Sequence, residues 1–389
     1  MSRARVVIIG GGVIGAATAC FLARDHGAAV TVLERDLSYR QASSALSASS
    51  IRQQFSTPIN IALSQAGVEF LRGVGSALEV DGDHPSIGLV EAGYLYLASD
   101  AGAAQLRINH ALQRAHGANI ELLDGNALQA RWPWLAVEGI ALGTWGASGE
   151  GWFDGPALHA ALKRKAQACG ARFLHAEGVS FDTHADRVHA VRDAQGQAHA
   201  GDALLIAAGA WSAPLAALLG LALPVSAKKR DVFVLDSPAR LPGCPLLIDP
   251  SGVWLRPEGS GFIAGAPPRS DDANDLPLDA IDHGLFDNVI WPALAARIPA
   301  FEALRVRSAW AGYYEMNAFD HNGVVGALPG WANAFIACGF SGHGMQHAPA
   351  VGRALAERIV SGRYAGIDLA PLSPERLLSS ARLIEENVI

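Results

Sequence analysis

The first forty residues join apolar runs through a glycine-rich turn, in a pattern typical of a parallel α/β sheet. Val6 to Ile9 is a continuous apolar run, whereas a strand with one solvent face alternates apolar and polar residues. A helix is predicted to start near Val13, and a second apolar run occupies Val30 to Leu33. The pattern therefore predicts two parallel strands joined by a helix, with helices covering both faces of the sheet.

The turn after the first strand carries Gly10, Gly12 and Gly15 in G-x-G-x-x-G spacing. The first glycine permits the tight turn, the second lets the backbone approach a pyrophosphate, and the third lets the helix pack on the strand. Glu34 ends the second strand, where a carboxylate accepts hydrogen bonds from a ribose diol and repels a 2′-phosphate. The stretch predicts an adenosine diphosphate ligand such as FAD or NAD, against the alternative of a glycine-rich turn without a ligand.

Later apolar runs divide the chain into two interleaved parts. The buried strand candidates 203–206 and 334–337 resemble the first strand and extend its sheet. Val90 to Leu97 partly alternates, and several short strand candidates separated by turn residues lie between about 224 and 309. We predict an α/β fold, a Rossmann-like FAD-binding domain with an inserted antiparallel-sheet substrate domain. The FAD-binding domain would comprise residues 1–80, 146–223 and 310–389, and the substrate-binding domain residues 81–145 and 224–309.

Composition narrows the class of protein. The 389 residues are 50% hydrophobic and 17% charged with 42 glycines, which is typical of a two-domain α/β enzyme. The formal net charge is −7 and there is no basic block, so nucleic acid is not an expected partner. The four cysteines are far apart, which predicts reduced thiols in a cytoplasmic protein. We expect no signal peptide, no membrane span and, because the histidines are scattered, no metal.

A second glycine-rich strand-to-helix turn, GFSGHGMQH, occupies residues 339–347. Such a turn directs N–H groups and a helix N-terminus at something electron-rich. A reduced flavin fits this description, because hydride arrival at N5 leaves negative charge around N1 and O2. Two such turns exceed what a nicotinamide dehydrogenase needs, so the expected cofactor is FAD.

These motifs together resemble the D-amino-acid oxidase (DAO) superfamily of FAD-dependent amine oxidoreductases, which includes sarcosine oxidase, glycine oxidase and D-amino-acid dehydrogenases. The resemblance is carried by the first glycine turn with Glu34, SSALSASSIRQQF, AAGAW at 207–211 and WAGYYE through GFSGHGMQHAPAVGRALAE. The chain is also similar to the mitochondrial FAD-dependent oxidoreductase-domain proteins linked to respiratory complex I assembly. The resemblance implies FAD bound in an extended form and removal of a hydride from the carbon next to an amine, which gives an imine.

Carried over by position, the resemblance implies cofactor contacts along the whole chain. The residues implied for the ADP half are Gly10, Gly12, Val13, Ile14, Gly15, Glu34 and Arg35, with Val179 against adenine. Those implied for the rest of the cofactor are Ser43, Ser44, Ala48, Ser49, Ser50, Ala208, Gly209, Trp211, Gly342, His343, Gly344, Met345 and Gln346.

Departures from the family pattern refine the expectation. Sarcosine oxidase carries a flavin-bound cysteine near the position of Tyr313, and no cysteine of this chain fits, so we expect non-covalent FAD. Glycine oxidase and several D-amino-acid enzymes carry a carboxylate-binding arginine about where this chain has Tyr314. Sarcosine oxidase carries a lysine where this chain has Gln346. The lysine that assists oxygen in sarcosine oxidase corresponds to a position near Ile263 or Ala264 of this chain, and neither residue can supply a charge. These losses favour a dehydrogenase that passes electrons to a quinone or an electron-transfer protein, with oxygen as the alternative acceptor.

Four residues are the candidates for catalysis, namely Arg52, Tyr314, His343 and Gln346. Arg52 can bind a substrate carboxylate through its guanidinium fork, or serve as a structural ion pair or a flavin contact. Tyr314 can orient an amine or simply pack in a strand, and His343 can touch flavin or transfer a proton. The leading hypothesis is oxidation of a small amine or amino acid, either a D-amino acid or a secondary amino acid. The alternatives are an FAD-dependent 2-hydroxy-acid dehydrogenase and a non-catalytic flavoprotein assembly factor.

Overall fold

The computed structural model describes residues 3–268, 270 and 273–386. Over these residues the chain forms nineteen strands. In chain order they are β1 (Arg5–Ile9), β2 (Ala29–Glu34), β3 (Ser50–Ile51), β4 (Tyr94–Ala98), β5 (Ile120–Leu123), β6 (Leu142–Gly146), β7 (Gly151–Trp152), β8 (Arg172–His175), β9 (Gly178–His184), β10 (Arg187–Asp193), β11 (Ala198–Ala200), β12 (Ala203–Ile206), β13 (Val225–Asp236), β14 (Leu246–Ile248), β15 (Trp254–Glu258), β16 (Gly261–Gly265), β17 (Arg305–Asn317), β18 (Val324–Ala327) and β19 (Ala334–Cys338).

The same residues form twelve α-helices, several of them a single turn. They are α1 (Val13–His26), α2 (Ser43–Leu46), α3 (Pro58–Arg72), α4 (Val74–Ala77), α5 (Asp100–Ala115), α6 (Gly125–Arg131), α7 (Gly155–Ala168), α8 (Ser212–Leu218), α9 (His283–Leu285), α10 (Trp291–Arg297), α11 (Gly344–Ser361) and α12 (Glu375–Leu378). A π-helical turn at Phe286–Ile290 and 3₁₀ turns at Gly209–Trp211, Pro299–Ala303 and Ala370–Leu372 complete the set.

A six-stranded sheet in the order β18-β19-β12-β1-β2-β8 confirms the α/β fold. Its pairs are parallel except β18 with β19. Val6 and Ile8 of β1 pack into the core that contains α1, α7 and α11, whereas Val7 and Ile9 pack into the core beneath α8 and the three-stranded sheet β9-β10-β11. Both faces of β1 are therefore covered, which is why its sequence is continuously apolar.

The second large sheet has eight strands in the order β17-β13-β16-β15-β14-β4-β6-β5, and its pairs are antiparallel except β4 with β14. Leu95 and Leu97 of β4 belong to a core with α9 and α10, while Tyr94 and Tyr96 lie on the opposite face. β17 belongs to this sheet and continues across the proposed boundary at residues 309 and 310. The division into two domains remains a prediction.

Helices α1 and α11 pack closely beside the six-stranded sheet. A Cβ placed on Gly352 of α11 would lie 2.7 Å from the Cβ of Ala17 in α1, so only glycine allows this approach. The glycine-rich turn at residues 339–347 predicts a helix that follows it, over about Pro349 to Val360. The helix instead begins at Gly344 and contains Pro349 in its interior. Pro349 removes one backbone hydrogen bond from the helix, and its neighbours Ala348 and Ala350 are buried.

Candidate functional site

The first glycine turn requires glycine for steric reasons. Gly10 has φ +97°, and a Cβ placed on it would lie 2.3 Å from the carbonyl oxygen of Ala207, at the end of β12. A Cβ on Gly15 would lie 2.0 Å from the carbonyl oxygen of Gly10. Gly15 thus packs α1 onto the turn and does not itself line the cavity described below, whereas Gly10 and Gly12 do.

Two polar side chains stabilise this turn. The carboxylate of Glu34 accepts hydrogen bonds from the backbone N–H groups of Gly11 at 2.8 Å and Asp36 at 2.9 Å. His159 Nε2 lies 2.8 Å from the carbonyl oxygen of Gly11. Burial lowers the pKa of His159, so the ring is neutral and donates through Nε2. Sequence patterns do not indicate His159, because its partner lies on a different element 148 residues away.

A cavity of about 590 Å³ starts at this turn and continues between the six-stranded sheet and the eight-stranded sheet. Its volume lies in the usual range for ligand sites, about 300–1,000 Å³. Of the sixteen implied cofactor contacts outside the second glycine turn, fifteen line this cavity and Gly15 is the exception. Those fifteen are Gly10, Gly12, Val13, Ile14, Glu34, Arg35, Ser43, Ser44, Ala48, Ser49, Ser50, Val179, Ala208, Gly209 and Trp211.

The end of the cavity beside Glu34 is bounded by a stacked pair. The guanidinium carbon of Arg35 lies 4.0 Å from the centre of the Trp211 ring, and Val179 is exposed nearby in the lining. Ser44 Oγ accepts a hydrogen bond from the backbone N–H of Val13 at 2.9 Å, so the serine-rich loop (residues 42–50) closes over the N-terminus of α1. Both the loop and the helix end therefore face one ligand-sized space.

The second glycine turn opens into the same cavity. Gly342 has φ +94°, and a Cβ placed on it would lie 2.6 Å from the Tyr314 ring. His343 precedes α11 and makes no side-chain capping bond, so its side chain does not occupy the first amides of the helix. The residues of this turn that line the cavity are Gly342, His343, Gly344, Met345 and Gln346. The structure thus brings together two turns that are more than 300 residues apart.

Arg52 lies at the junction of these elements and is only 3% exposed. Its guanidinium contacts the Gln54 carbonyl oxygen at 3.2 Å, the Tyr96 hydroxyl, and His343 Nε2 at 3.1 Å. It also stacks on Phe55, 4.3 Å from the ring centre. The pKa of His343 lies well below its usual range, mainly because the ring is buried and secondly because the Arg52 charge is near. His343 is therefore neutral and accepts from Arg52.

A buried carboxyl supports the segment that carries Arg52. Glu150 is fully buried, and its oxygens accept from the backbone N–H groups of Gln53 at 2.6 Å and Gln54 at 3.1 Å and from Gln54 Nε2 at 2.8 Å. Burial raises the pKa of Glu150 to about 7, and these hydrogen bonds and the Arg52 charge oppose the rise. The sequence does not indicate Glu150, because no motif marks a carboxyl whose partners are 97 and 96 residues away.

Beyond the second glycine turn the cavity has a largely aromatic lining. Tyr94, Trp254, Tyr314 and Arg230 line this part together with Arg52, and the Arg230 guanidinium lies 5.2 Å from the centre of the Tyr314 ring. We define this part as the inner end. The alternation of Tyr94 and Tyr96 along β4 is the sequence signal that places both on one sheet face. Ile263 and Ala264 are instead buried in β16 and do not line the cavity.

Residues 3–268, 270 and 273–386 contain neither a grouped set of metal ligands nor a helix that could span a membrane. No three His, Cys, Asp or Glu side chains among them are grouped so as to hold a metal ion. None of the helices they form has the length and apolar character needed to cross a membrane.

A parallel sheet whose first glycine turn, terminal acidic residue and second glycine turn share one cavity defines the class of dinucleotide-binding oxidoreductases. The chain belongs to the DAO family of FAD-dependent oxidoreductases, whose sequence profile matches residues 5–358.

Similarity to individual known proteins is consistent with this family. The chain is similar to FAD-dependent oxidoreductase domain-containing protein 1 of Xenopus laevis, with 41% identity over 100% of this chain and 85% of that protein. It is similar to glycine oxidase of Geobacillus kaustophilus, with 30% identity over 96% of this chain and 97% of that protein. The solved L-proline dehydrogenase from P. horikoshii has the same fold, with a TM-score of 0.86, 24% identity, and coverage of 98% of this chain and 99% of that one.

The residues present fit the cofactor that the family implies. Tyr39 Oη is buried at the cavity wall and has no hydrogen-bond partner among the described residues. A Cβ placed on Gly11 would lie 3.0 Å from this hydroxyl and 3.4 Å from Glu34 Oε2, so the hydroxyl lies beside the first glycine turn. A buried polar atom without a partner is costly, and a ligand with phosphate or ribose oxygens would satisfy it.

Proposed function

We propose that this chain binds FAD without a covalent bond and oxidises the C–N bond of a small amine or amino acid to an imine. The substrate class is a D-amino acid or a secondary amino acid. When bound, FAD supplies the acceptor, N5, for the hydride that leaves the carbon next to nitrogen. The observation that carries the proposal is the opening of both glycine turns into one cavity, which continues into the aromatic inner end.

The cofactor contacts divide by chemistry. Backbone groups at Gly10, Gly12 and Val13 and the N-terminus of α1 suit the pyrophosphate. Glu34 suits the ribose diol, because its carboxylate accepts hydrogen bonds and its oxygens already face this end. The serine-rich loop and Ala208 to Trp211 flank the middle, while residues 342–346 present the N-terminus of α11 to the flavin ring.

At the inner end, the chain's own side chains orient the substrate. Arg52 carries a positive charge on a guanidinium that Tyr96, Gln54 and His343 hold in place, so a carboxylate at the inner end is attracted to it. Tyr314 can orient the amine through its hydroxyl, and burial raises the pKa of this phenol, so it stays protonated. Neutral His343 keeps a second positive charge away from the substrate amine, which must be neutral to react.

The cysteines support non-covalent attachment. Cys20, Cys169, Cys244 and Cys338 are all free, and none of them lines the cavity. Burial raises the pKa of Cys20 and of Cys244 to about 12, so neither offers a thiolate. Acid precipitation of the holoprotein should release all the flavin into the supernatant. Flavin that stays with the protein pellet would contradict this part of the proposal.

The positions of the lysines favour a dehydrogenase over an oxidase. The chain has four lysines, Lys163, Lys165, Lys228 and Lys229, and none of them lines the cavity. The ammonium group that assists oxygen in sarcosine oxidase therefore has no counterpart here. We propose that a quinone or an electron-transfer protein accepts the electrons in the cytoplasm, with oxygen as the alternative. Rapid reoxidation by air of the substrate-reduced protein would contradict the dehydrogenase assignment.

A panel of substrates tests the whole proposal. The FAD-loaded protein is mixed anaerobically with glycine, L-proline, N-methylglycine, iminodiacetate, D-amino acids and 2-hydroxy acids, and flavin absorbance is followed. Bleaching by an amine or amino acid supports the proposal, and bleaching by 2-hydroxy acids alone assigns the alternative dehydrogenase. Tyr314 stands where glycine oxidases place an arginine, which favours a non-catalytic assembly factor as the second candidate. That candidate predicts tight FAD binding with no bleaching by any compound.

A further inference from the structure

One carboxyl in the cavity has no part in the function proposed above. Glu315 of β17 lies between the turn after β12 and the second glycine turn. Its Oε2 lies 3.6 Å from the position a Cβ would take on Gly209, and its Oε1 lies 3.3 Å from that position on Gly344. Glu315 lines the cavity and is half-buried. A carboxyl is thereby held where two cofactor-binding turns meet.

Few groups around this carboxyl favour its ionised form over its protonated form. The backbone amides of Gly339 and Phe340 face it and favour the anion, as does the N-terminus of α11 at Gly344. The thiol of Cys338 on β19 also faces it, and burial keeps that thiol neutral by raising its pKa. No cationic side chain among the described residues acts on the pKa of Glu315.

Desolvation outweighs these favourable dipoles. Burial raises the pKa of Glu315 to about 7, and the amides of Gly339 and Phe340 oppose the rise. The group therefore holds a proton only part of the time near neutral pH. A modest change in local charge is enough to decide its protonation state, because one pKa unit corresponds to about 1.4 kcal/mol.

We propose that Glu315 binds one proton from solvent when two electrons reach FAD bound in this cavity, and releases it when the electrons leave. The inference rests on the proposed function, since it needs the flavin at the N-terminus of α11. The electrons come from the substrate hydride, or from an added reductant, and no bond other than the carboxyl O–H forms or breaks at Glu315. Glu315 thus takes up and releases a proton, and it sets how strongly the reduction potential of the cofactor depends on pH.

The physical reason is that two negative charges, on the reduced flavin and on Glu315, would compete for the amides at the N-terminus of α11. A two-electron reduced flavin carries negative charge on the side that the α11 amides would face, and ionised Glu315 would share the same amides. Two like charges in one partly desolvated site cannot both remain ionised without cost, so the carboxyl gains a proton. Reduction is then coupled to uptake of one proton more than the flavin itself takes up.

The test is the two-electron potential of the holoprotein between pH 6 and 9, in wild type and Glu315→Gln, with a chemical reductant and mediators. Each proton taken up changes the reduction equilibrium tenfold per pH unit, which is about 30 mV for a two-electron couple. Above pH 7 we expect the wild type to be steeper than E315Q by this one proton. Glu177→Gln, at an exposed carboxyl that lines the other end of the cavity, should keep the wild-type slope. Equal slopes in wild type and E315Q would overturn the inference.

A second measurement needs no variant. Proton uptake is counted with an indicator dye in weakly buffered wild-type holoprotein during reduction at about pH 7.5. Uptake clearly above one proton per two electrons supports the inference, and uptake of one proton overturns it. Failure of the proposed function looks different, because the protein would then take up no FAD or none of the amines would bleach it.

Discussion

The side-chain oxygen of Gln346 accepts a 2.7 Å hydrogen bond from the backbone N–H of Arg52. Gln346 lies in the first turn of α11, and Arg52 follows the serine-rich loop, so the bond joins two cavity walls 294 residues apart in sequence. Both residues are buried, which removes water as a competitor. The contact ties the segment that carries Arg52 to the second glycine turn.

Loss of this bond should weaken both the fold and the cofactor site. Gln346→Leu keeps the volume but leaves the buried Arg52 amide without its partner, which costs about 1–3 kcal/mol. We expect a lower free energy of unfolding in urea and weaker FAD binding in a fluorescence titration. Gln167→Leu, at an exposed position on α7, is the control. Wild-type stability and affinity in Q346L would show that the bond contributes nothing.

Gly10 should tolerate no side chain. In Gly10→Ala the methyl group meets the Ala207 carbonyl, and the positive φ adds roughly 1–2 kcal/mol of strain. Gly27→Ala is the matched control, because Gly27 has φ +61° but open space around its Cβ position. We expect G27A to lose about 1 kcal/mol and keep FAD, whereas G10A loses more stability and most of its FAD affinity. Equal behaviour of the two variants in thermal unfolding and FAD titration would contradict the steric argument.

The unpartnered hydroxyl of Tyr39 gives a prediction that separates cofactor binding from folding. Tyr39→Phe removes an oxygen that has no partner among the described residues, so the stability of the apoprotein should not fall. If the hydroxyl bonds to FAD, the variant should bind FAD about 2–10-fold more weakly, which corresponds to about 0.5–1.5 kcal/mol. Isothermal titration with FAD and urea unfolding of the apoprotein measure the two quantities. A stability loss in the apoprotein with unchanged FAD affinity would refute the assignment.

Glu150 should make stability depend on pH. Its folded pKa of about 7 lies above the ordinary 4.5, so the folded state binds more protons between these values. The stability that it contributes at low pH is therefore lost as pH rises from about 4.5 to 7. Buried His343 and His347 act in the opposite direction over part of this range, because their pKa values are lowered.

The difference between wild type and Glu150→Gln isolates the carboxyl. We expect the free energy of unfolding of E150Q to improve relative to wild type as the pH is raised from 5 to 7.5, measured by urea unfolding at each pH. Glu138→Gln, at an exposed carboxyl, controls for the loss of one charge. A difference between E150Q and wild type that stays constant with pH would mean that Glu150 does not bind a proton in this range.

The sequence alone determined the parts of the site that depend on neighbours in the chain. Gly10, Gly12 and Glu34 could be predicted because the turn, the helix start and the strand end lie within one βαβ unit, whose geometry is local. The continuously apolar β1 likewise indicated a sheet covered on both faces. The second glycine turn could be recognised for the same reason, although the start of its helix was placed five residues late, at Pro349.

Only the tertiary structure decided which distant side chains meet. Tyr39 and Glu150 have surroundings that depend on contacts with other elements, and no spacing in the sequence records such contacts. The parallel pairing of β4 with β14 inside a sheet of otherwise antiparallel pairs was equally hidden, because the apolar pattern of a strand specifies its buried face but not its neighbour. Burial and long-range packing set the protonation of Glu150 and Glu315, and these arise only once the whole chain has folded.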